Sequence, residues 1–148
     1  MIFRDARRDE VPRIVALLAD DELGAGREAR SGADDAYLGA FDDIAADPRS
    51  RLIVADVDGQ VAGTFQLTVL PGLSRHGMRR AQIEGVRVAT PWRGQGLGRA
   101  MLGWAIEAAR QDGCGLVQLT SDKRRTGAIR FYESLGFEAS HEGLKLPL

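Results

Sequence analysis

The stretch VRVATPWRGQGLGRAMLGWAIEAAR, residues 86–110, decides how the rest of the chain is read. It opens on a β-branched run from Val86 to Val88 and closes on a long amphipathic helical pattern. Between the two, Gly94, Gly96 and Gly98 alternate with Arg93, Gln95, Leu97 and Arg99. Each glycine weakens a strand or helix by about 0.5–1 kcal/mol relative to alanine, so three at one hand-over need a reason. A helix N-terminus leaves backbone N–H groups unpaired and carries about half a positive charge. A turn stripped of side chains lets a phosphate reach those groups directly. Arg93 and Arg99 flank the turn and can add charge-assisted bonds to phosphate oxygens. The segment reads as a pyrophosphate cradle.

The surroundings suit an anion. The chain of 148 residues has a formal net charge of −1, which argues against non-specific nucleic-acid binding. The charge is uneven, however. Residues 1–50 carry 7 Lys/Arg against 12 Asp/Glu, and residues 51–148 carry 13 against 9. The cradle thus falls in the basic half. The acidic pairs Asp20-Asp21, Asp34-Asp35 and Asp42-Asp43 suit either plain solvated surface or the approach of a cationic second ligand. With 44% hydrophobic residues the length suits one domain with a substantial core. Cys114 is the single cysteine, so no intrachain disulfide forms and no cysteine cluster holds a metal. Two histidines without ligand spacing make a metal site unexpected. No segment approaches the roughly 20 apolar residues of a membrane span, and the start has no signal-peptide core. The expectation is a soluble, cytoplasmic protein that binds neither nucleic acid nor membrane.

Along the chain, Ile2 to Ala6 reads as a strand, and Asp9 as the N-cap of a helix carrying Val11, Ile14, Val15 and Leu18. Leu23 to Ala33 has no period and reads as a mobile loop. A short helix through Tyr37, Leu38, Phe41 and Ile44 stops at Asp47-Pro48. Arg51–Val57 and Val61–Leu70 form a hairpin about Asp58-Gly59. Ala81–Ala89 is a strand with Glu84, Val86 and Val88 on one face by period-two alternation. A helix from Gly96 to about Asp112, a buried strand Leu116–Thr120, a helix Thr126–Leu135 and one or two short strands after Phe137 complete the order. The class is α/β with a mixed sheet.

Which phosphate ligand the cradle takes is narrowed by elimination. No Gly-Lys-Ser/Thr follows, so this is no P-loop. A dinucleotide fingerprint fails at its third glycine, where Arg99 or Met101 stands.

Two motifs in this order resemble the GCN5-related N-acetyltransferase superfamily. The first is R-x-x-G-x-G at Arg93 to Gly98; the second is the run AIRFYESLGF from Ala128 to Phe137. The likeness covers about Leu52 to Leu146. It implies a single acetyltransferase domain over residues 1–148, its mostly antiparallel mixed sheet flanked by about four helices. It implies acetyl-CoA as co-substrate, with the pyrophosphate on main-chain N–H groups from Arg93 through Gly94, Gln95, Gly96, Leu97 and Gly98 to Arg99. The pantetheine arm would pair with the backbone of Val86, Arg87 and Val88, at a splay between that strand and the next. Arg124 and Arg125 are further phosphate candidates, although many relatives carry asparagine near the latter position.

Tyr132 matches the family's general acid: a departing thiolate needs a proton, and a phenol near the sulfur can give it. Its residue pattern alone fits equally well a core stripe with Ile129, Phe131 and Leu135. Glu84, a carboxylate among apolar strand neighbours, is the candidate base for the substrate ammonium, directly or through water. The alternative is a cross-strand ion pair with Arg79, Arg80 or Arg87. The Val86 N–H can polarise the thioester carbonyl. Cys114 reads as a small core residue and His76 as a loop histidine. The expected function is acetyl transfer to a primary amine of a small molecule, with no metal and with pairing of two copies through an exposed strand. The alternatives are an acyl-CoA-binding sensor without turnover, another acyl group, or a non-amine acceptor. Acceptor choice is expected in Leu23–Ala33 and Pro71–Met78.

Overall fold

Asp58 and Gly59 both adopt left-handed backbone, at φ 52° and 83°, the geometry of the tight two-residue turn that matches strand twist. They join β2 (Ser50–Val57) to β3 (Gln60–Leu70) as the sequence pattern predicts. The computed structural model describes residues 1–28 and 34–148. Around the hairpin a sheet of five strands runs in the order β1-β2-β3-β4-β5, with β1 at Ile2–Asp5, β4 at Arg79–Val88 and β5 at Cys114–Leu119. The pairs β1–β2, β2–β3 and β3–β4 are antiparallel. Strand β5 runs along β4 in the same direction, because Arg79 reaches the carbonyl of Asp112 while Gln118 bonds Gln82. The sheet is therefore mixed, and the chain folds as α/β.

The described residues form six helices: α1 (Val11–Ala19), α2 (Glu22–Ala25), α3 (Asp35–Ala46), α4 (Ser74–Gly77), α5 (Leu97–Gln111) and α6 (Thr126–Glu133). That is two more than the sequence pattern suggests, and both additions are single four-residue turns, α2 and α4. The helix α2 opens the segment that reads as a structureless loop; the rest of that reading, residues 29–33, lies outside the described residues. Three further readings are corrected. Asp9 caps nothing: it sits inside a short 3-10 turn, Arg8–Glu10, whose cap is closed by the Glu10 carboxylate accepting from the Arg7 N–H at 2.8 Å. Strand β5 is half-buried rather than enclosed. No strand follows Phe137 among the described residues.

The two faces of the sheet are covered by different helices. Trp104 of α5 packs on Phe3 and Phe65, at ring separations of 6.0 and 6.1 Å, so α5 lies on the Phe65 side. Helix α5 buries Leu97, Met101, Leu102, Ala105 and Ala109 there. Helix α1 takes the other side, with Ile14 and Leu17 in one cluster with Val54. The chain divides into two compact units, Met1–Gln118 and Leu119–Leu148.

Candidate active site

The turn is built as its glycines predict. After β4, a 3-10 turn (Thr90–Trp92) leads into residues 93–96 and then α5. Gly94 and Gly96 hold left-handed backbone at φ 71° and 82°, which an L side chain adopts only with strain. A Cβ at either would meet no other atom within 4 Å, so the space before the turn is clear. The first helical bond runs from the Ala100 N–H to the Gly96 carbonyl at 3.0 Å, and the Arg93 N–H goes to Thr90. Among the described residues, the N–H groups of Gly94, Gln95, Gly96, Leu97 and Gly98 have no protein acceptor. Gln95 braces the turn through its side chain, donating to the Pro91 carbonyl at 2.7 Å.

The flanking arginines differ from one another. Arg93 Nε donates to the Val88 carbonyl at 2.9 Å, and its Nη2 donates to Asp20 Oδ2 at 3.0 Å. Thr90 Oγ1 donates to the same Asp20 oxygen at 3.0 Å. The Arg93 guanidinium is thus already held by the C-terminal cap of α1. Arg99 stands exposed in the first turn of α5. Arg87 donates to the Val86 carbonyl at 2.9 Å and lies 3.9 Å from Asp21.

One residue re-aims the centre of β4. On β3, residues 63–68 pair in unbroken register with β2. Against the same stretch β4 pairs Gln66 with Glu84, Thr64 with Arg87 and Gly63 with Val88, so one residue more is spent on β4 than on β3. The extra residue is a bulge at Gly85, whose φ of 61° is the left-handed geometry such bulges use. Alternation therefore breaks. Glu84 shares the α1 face with Gln66, Thr64 and Arg87, whereas Val88 lies opposite Gly63 on the α5 face. Glu84 and Val88 do not share a face, contrary to the period-two reading. Nor is Glu84 enclosed by apolar neighbours: it is exposed, and among the described residues it makes no ion pair with Arg79, Arg80 or Arg87.

Beside the bulge a cleft of about 190 Å³ is lined by Ile14, Leu18, Leu52, Thr64, Gln66, Glu84 and Gly85. Gln66 and the apolar wall from α1 are site residues that motif reading passes over. The available signal was an amide inside an otherwise apolar strand, VAGTFQLTVL.

In the second unit, Tyr132 is half-buried on α6, its ring 5.4 Å from Phe131 and 5.9 Å from Phe137. Arg124 is exposed and grips Asp122 in a fork, at 2.9 and 2.6 Å, which holds that carboxyl well below the usual range. Arg125 caps the start of α6. In the first unit, burial pushes the Cys114 thiol up, away from the reactive thiolate. His76 is exposed in α4, a left-handed turn just before the start of β4, at the opposite end of that strand from the glycine turn.

Comparison with known proteins fits this architecture. The model of the acetyltransferase (GNAT) family matches residues 12–137. The chain belongs to this family. The match runs through both compact units. Glucosamine 6-phosphate N-acetyltransferase of Trypanosoma brucei brucei is 36% identical over 61% of this chain and 59% of its own. Aminoalkylphosphonate N-acetyltransferase of Salmonella typhimurium is 36% identical over 64% of this chain and 61% of its own. The GNAT chain described here thus spans about three-fifths of the length of these curated relatives. A crystal structure described as a transcriptional regulator from Bacillus halodurans C-125 superposes with a TM-score of 0.95, at 45% identity over 99% of both chains. No helix among the described residues is long and apolar enough to cross a membrane.

Proposed function

We propose that this protein moves an acetyl group from acetyl-CoA to a primary amine of a small molecule, by direct attack while both are bound. The observation that carries the reading is the row of N–H groups from Gly94 to Gly98 without protein acceptors, at the head of α5 in a GNAT chain. Those donors, the clear space before Gly94 and Gly96, and the helix dipole fit a pyrophosphate. Acetyl-CoA, when bound, supplies an activated acetyl thioester.

The chain supplies the rest. Main-chain donors from Arg93 to Arg99 hold the pyrophosphate, with charge added by Arg99, Arg124 and Arg125. Arg124 does so in competition with Asp122. The backbone of Val86 to Val88 pairs with the pantetheine arm. In support, Gln118 lies beside Gln82 and β5 ends at Leu119, so β4 runs on past the end of β5 from about Glu84. Glu84 takes the proton from the substrate ammonium, directly or through water. The Val86 N–H steadies the charge that develops on the carbonyl oxygen. The N–C bond forms in a tetrahedral adduct whose C–S bond then breaks; the departing sulfur takes the phenolic proton of Tyr132, and the second proton lost by the acceptor nitrogen restores that phenol. The two units act as one acetyltransferase domain. A cytoplasmic setting and a homodimer belong to the same reading. The strand for pairing is β1, at the sheet edge with Ile2 exposed, and a dimer mass in light scattering checks it.

Calorimetric titration with acetyl-CoA, CoA and NAD(H) tests the cradle. The first two bind and the third does not; the opposite pattern overturns the reading. Tyr132→Phe then lowers kcat by about 10²-fold or more, the usual range for general acid catalysis, with acetyl-CoA affinity retained. Lost affinity at unchanged kcat removes the acid role.

A second reading is favoured by the description of the Bacillus halodurans structure as a transcriptional regulator. It makes this chain an acyl-CoA-binding sensor. CoA binding without thiol release across a broad amine panel distinguishes it.

A further inference from the structure

Resting on the acetyltransferase reading, we infer that the acceptor is a primary amine with a compact, uncharged, largely apolar body, and that Gln66 and Leu18 select it. The cleft beside the Gly85 bulge has two unlike sides. Its polar side is a cross-strand pair: Gln66 and Glu84 stand directly opposite one another on one face of the sheet, a spacing of about 4.5–5.5 Å between Cβ atoms. The Gln66 amide nitrogen donates to Thr68 Oγ1 at 3.4 Å. Its carbonyl oxygen is left over as an acceptor beside the Glu84 carboxylate, and an ammonium has three N–H donors to place. Thr64 also lines the cleft, but its hydroxyl already donates to the Ile53 carbonyl at 2.9 Å.

The other side is apolar, from Ile14, Leu18 and Leu52. Among the described residues, no lysine or arginine lines the cleft. Three arginines share the Glu84 face of the sheet: Arg87 donates to the Val86 carbonyl and lies 3.9 Å from Asp21, Arg4 is tied to Glu10 and Asp56, and Arg80 stands opposite Leu70, further along β4 from Glu84 and outside the cleft lining. An acceptor bearing a phosphate or phosphonate would set its anion near Glu84 with no opposing cation. Two curated relatives are named for acceptors of that anionic kind, whereas the described lining of this cleft holds no cation to meet such a group. Size narrows the class further. An apolar cavity of about 150 Å³ takes a benzene molecule. A cleft of about 190 Å³ then takes one ring, or a branched chain of similar bulk, with a short aminomethyl arm.

The experiment uses the full chain with benzylamine, isoamylamine, 2-aminoethylphosphonate and glucosamine 6-phosphate. Thiol release is followed at saturating acetyl-CoA, and calorimetric binding of each amine to the CoA-loaded protein is measured alongside. The expected kcat/KM for the two neutral-bodied amines is at least about tenfold above that for the two anionic ones. Gln66→Leu raises KM for benzylamine about tenfold with little change in kcat, and Leu18→Arg shifts preference toward 2-aminoethylphosphonate. Retained acetyl-CoA binding certifies that each variant is folded. Preference of the unaltered chain for the anionic amines, no binding of benzylamine, or an unmoved KM in Gln66→Leu overturns the inference. Benzylamine bound selectively without thiol release upholds the selection and overturns the transfer reading alone.

Discussion

Two arginines of this chain each bind an aspartate and one further anchor, and they behave oppositely. Arg4, in β1, forks onto Glu10 at 2.6 and 2.9 Å and onto Asp56 at 3.0 and 2.8 Å. The side chains of Glu10 and Asp56 are only 8% and 14% exposed. Arg93 meets Asp20 at 3.0 Å with both side chains about half exposed, at 49% and 47%. The chemistry is the same and the burial is not. A charge pair withdrawn from water collapses the local structure when one partner is removed. An exposed pair contributes roughly 0–1 kcal/mol and yields to a competitor. The first grouping fastens β1, the 3-10 turn and β2 together. The second holds an arginine beside the cradle on a bond that an incoming phosphate can replace.

The largest effect is expected at the buried grouping. Arg4→Met leaves Asp56 without its paired cation and Glu10 with only the exposed Arg7 at 2.9 Å, and unfolding in urea shows a loss of about 3 kcal/mol, while acetyl-CoA affinity of the folded fraction is unchanged. The grouping also sets the acid response. Hydrogen bonds from Arg4 hold the Glu10 carboxyl below its ordinary value, against the opposing effect of burial. A carboxylate lowered in this way stabilises the fold above its unfolded pKa of about 4.3, and that stability drains away as pH falls through the folded value. The urea midpoint of the unaltered protein therefore drops below about pH 4, and the part due to this group disappears in Glu10→Gln. A midpoint with the same pH slope in both proteins refutes the assignment.

A smaller effect is expected in the cradle, where the fold has little at stake and the ligand much. Gly96→Val puts a β-branched residue at φ 82°, a conformation costing L-residues on the order of 1–2 kcal/mol. Its side chain meets no protein atom near Cβ but enters the space from which a phosphate approaches. Acetyl-CoA affinity falls at least about tenfold, more than the loss of stability alone accounts for. Equal affinity in the variant means the pyrophosphate rests elsewhere.

The contrast between these two regions also marks what could be read in the residues beforehand. The glycine turn was legible because its information is local: strand, three glycines, two arginines and helix are consecutive. The hairpin at Asp58-Gly59 and the apolar stripe of α5 were legible for the same reason. The bulge was half-legible. A lone glycine inside a strand pattern signals an inserted residue, yet strict alternation was carried through Gly85 and put Glu84 on the wrong face. The Arg4–Glu10–Asp56 and Arg93–Asp20 groupings join residues as much as 52 and 73 positions apart, and no periodicity encodes such a pairing. The strands expected after Phe137 failed for another reason. Leu144, Leu146 and Leu148 alternate with Lys145 and Pro147 in a strand-like period but remain exposed, with no partner strand among the described residues to bury them.

The smallest effect is the one that separates the two arginine groupings most cleanly. Asp20→Asn keeps the shape of the cap and an oxygen for Thr90, but removes the charge that holds Arg93. If the bond is replaceable, freeing the guanidinium tightens acetyl-CoA binding a few-fold, or about 0.5–1 kcal/mol. The gain shrinks with added salt because all the charges involved are exposed and screened, and it vanishes in an Arg93→Met background. If Asp20 instead positions Arg93 for the ligand, the same substitution weakens binding. The sign of one affinity change, read in two backgrounds, then decides whether this ion pair competes with the phosphates or prepares their site. At Arg4 that question does not arise, because burial leaves its carboxylates no competitor.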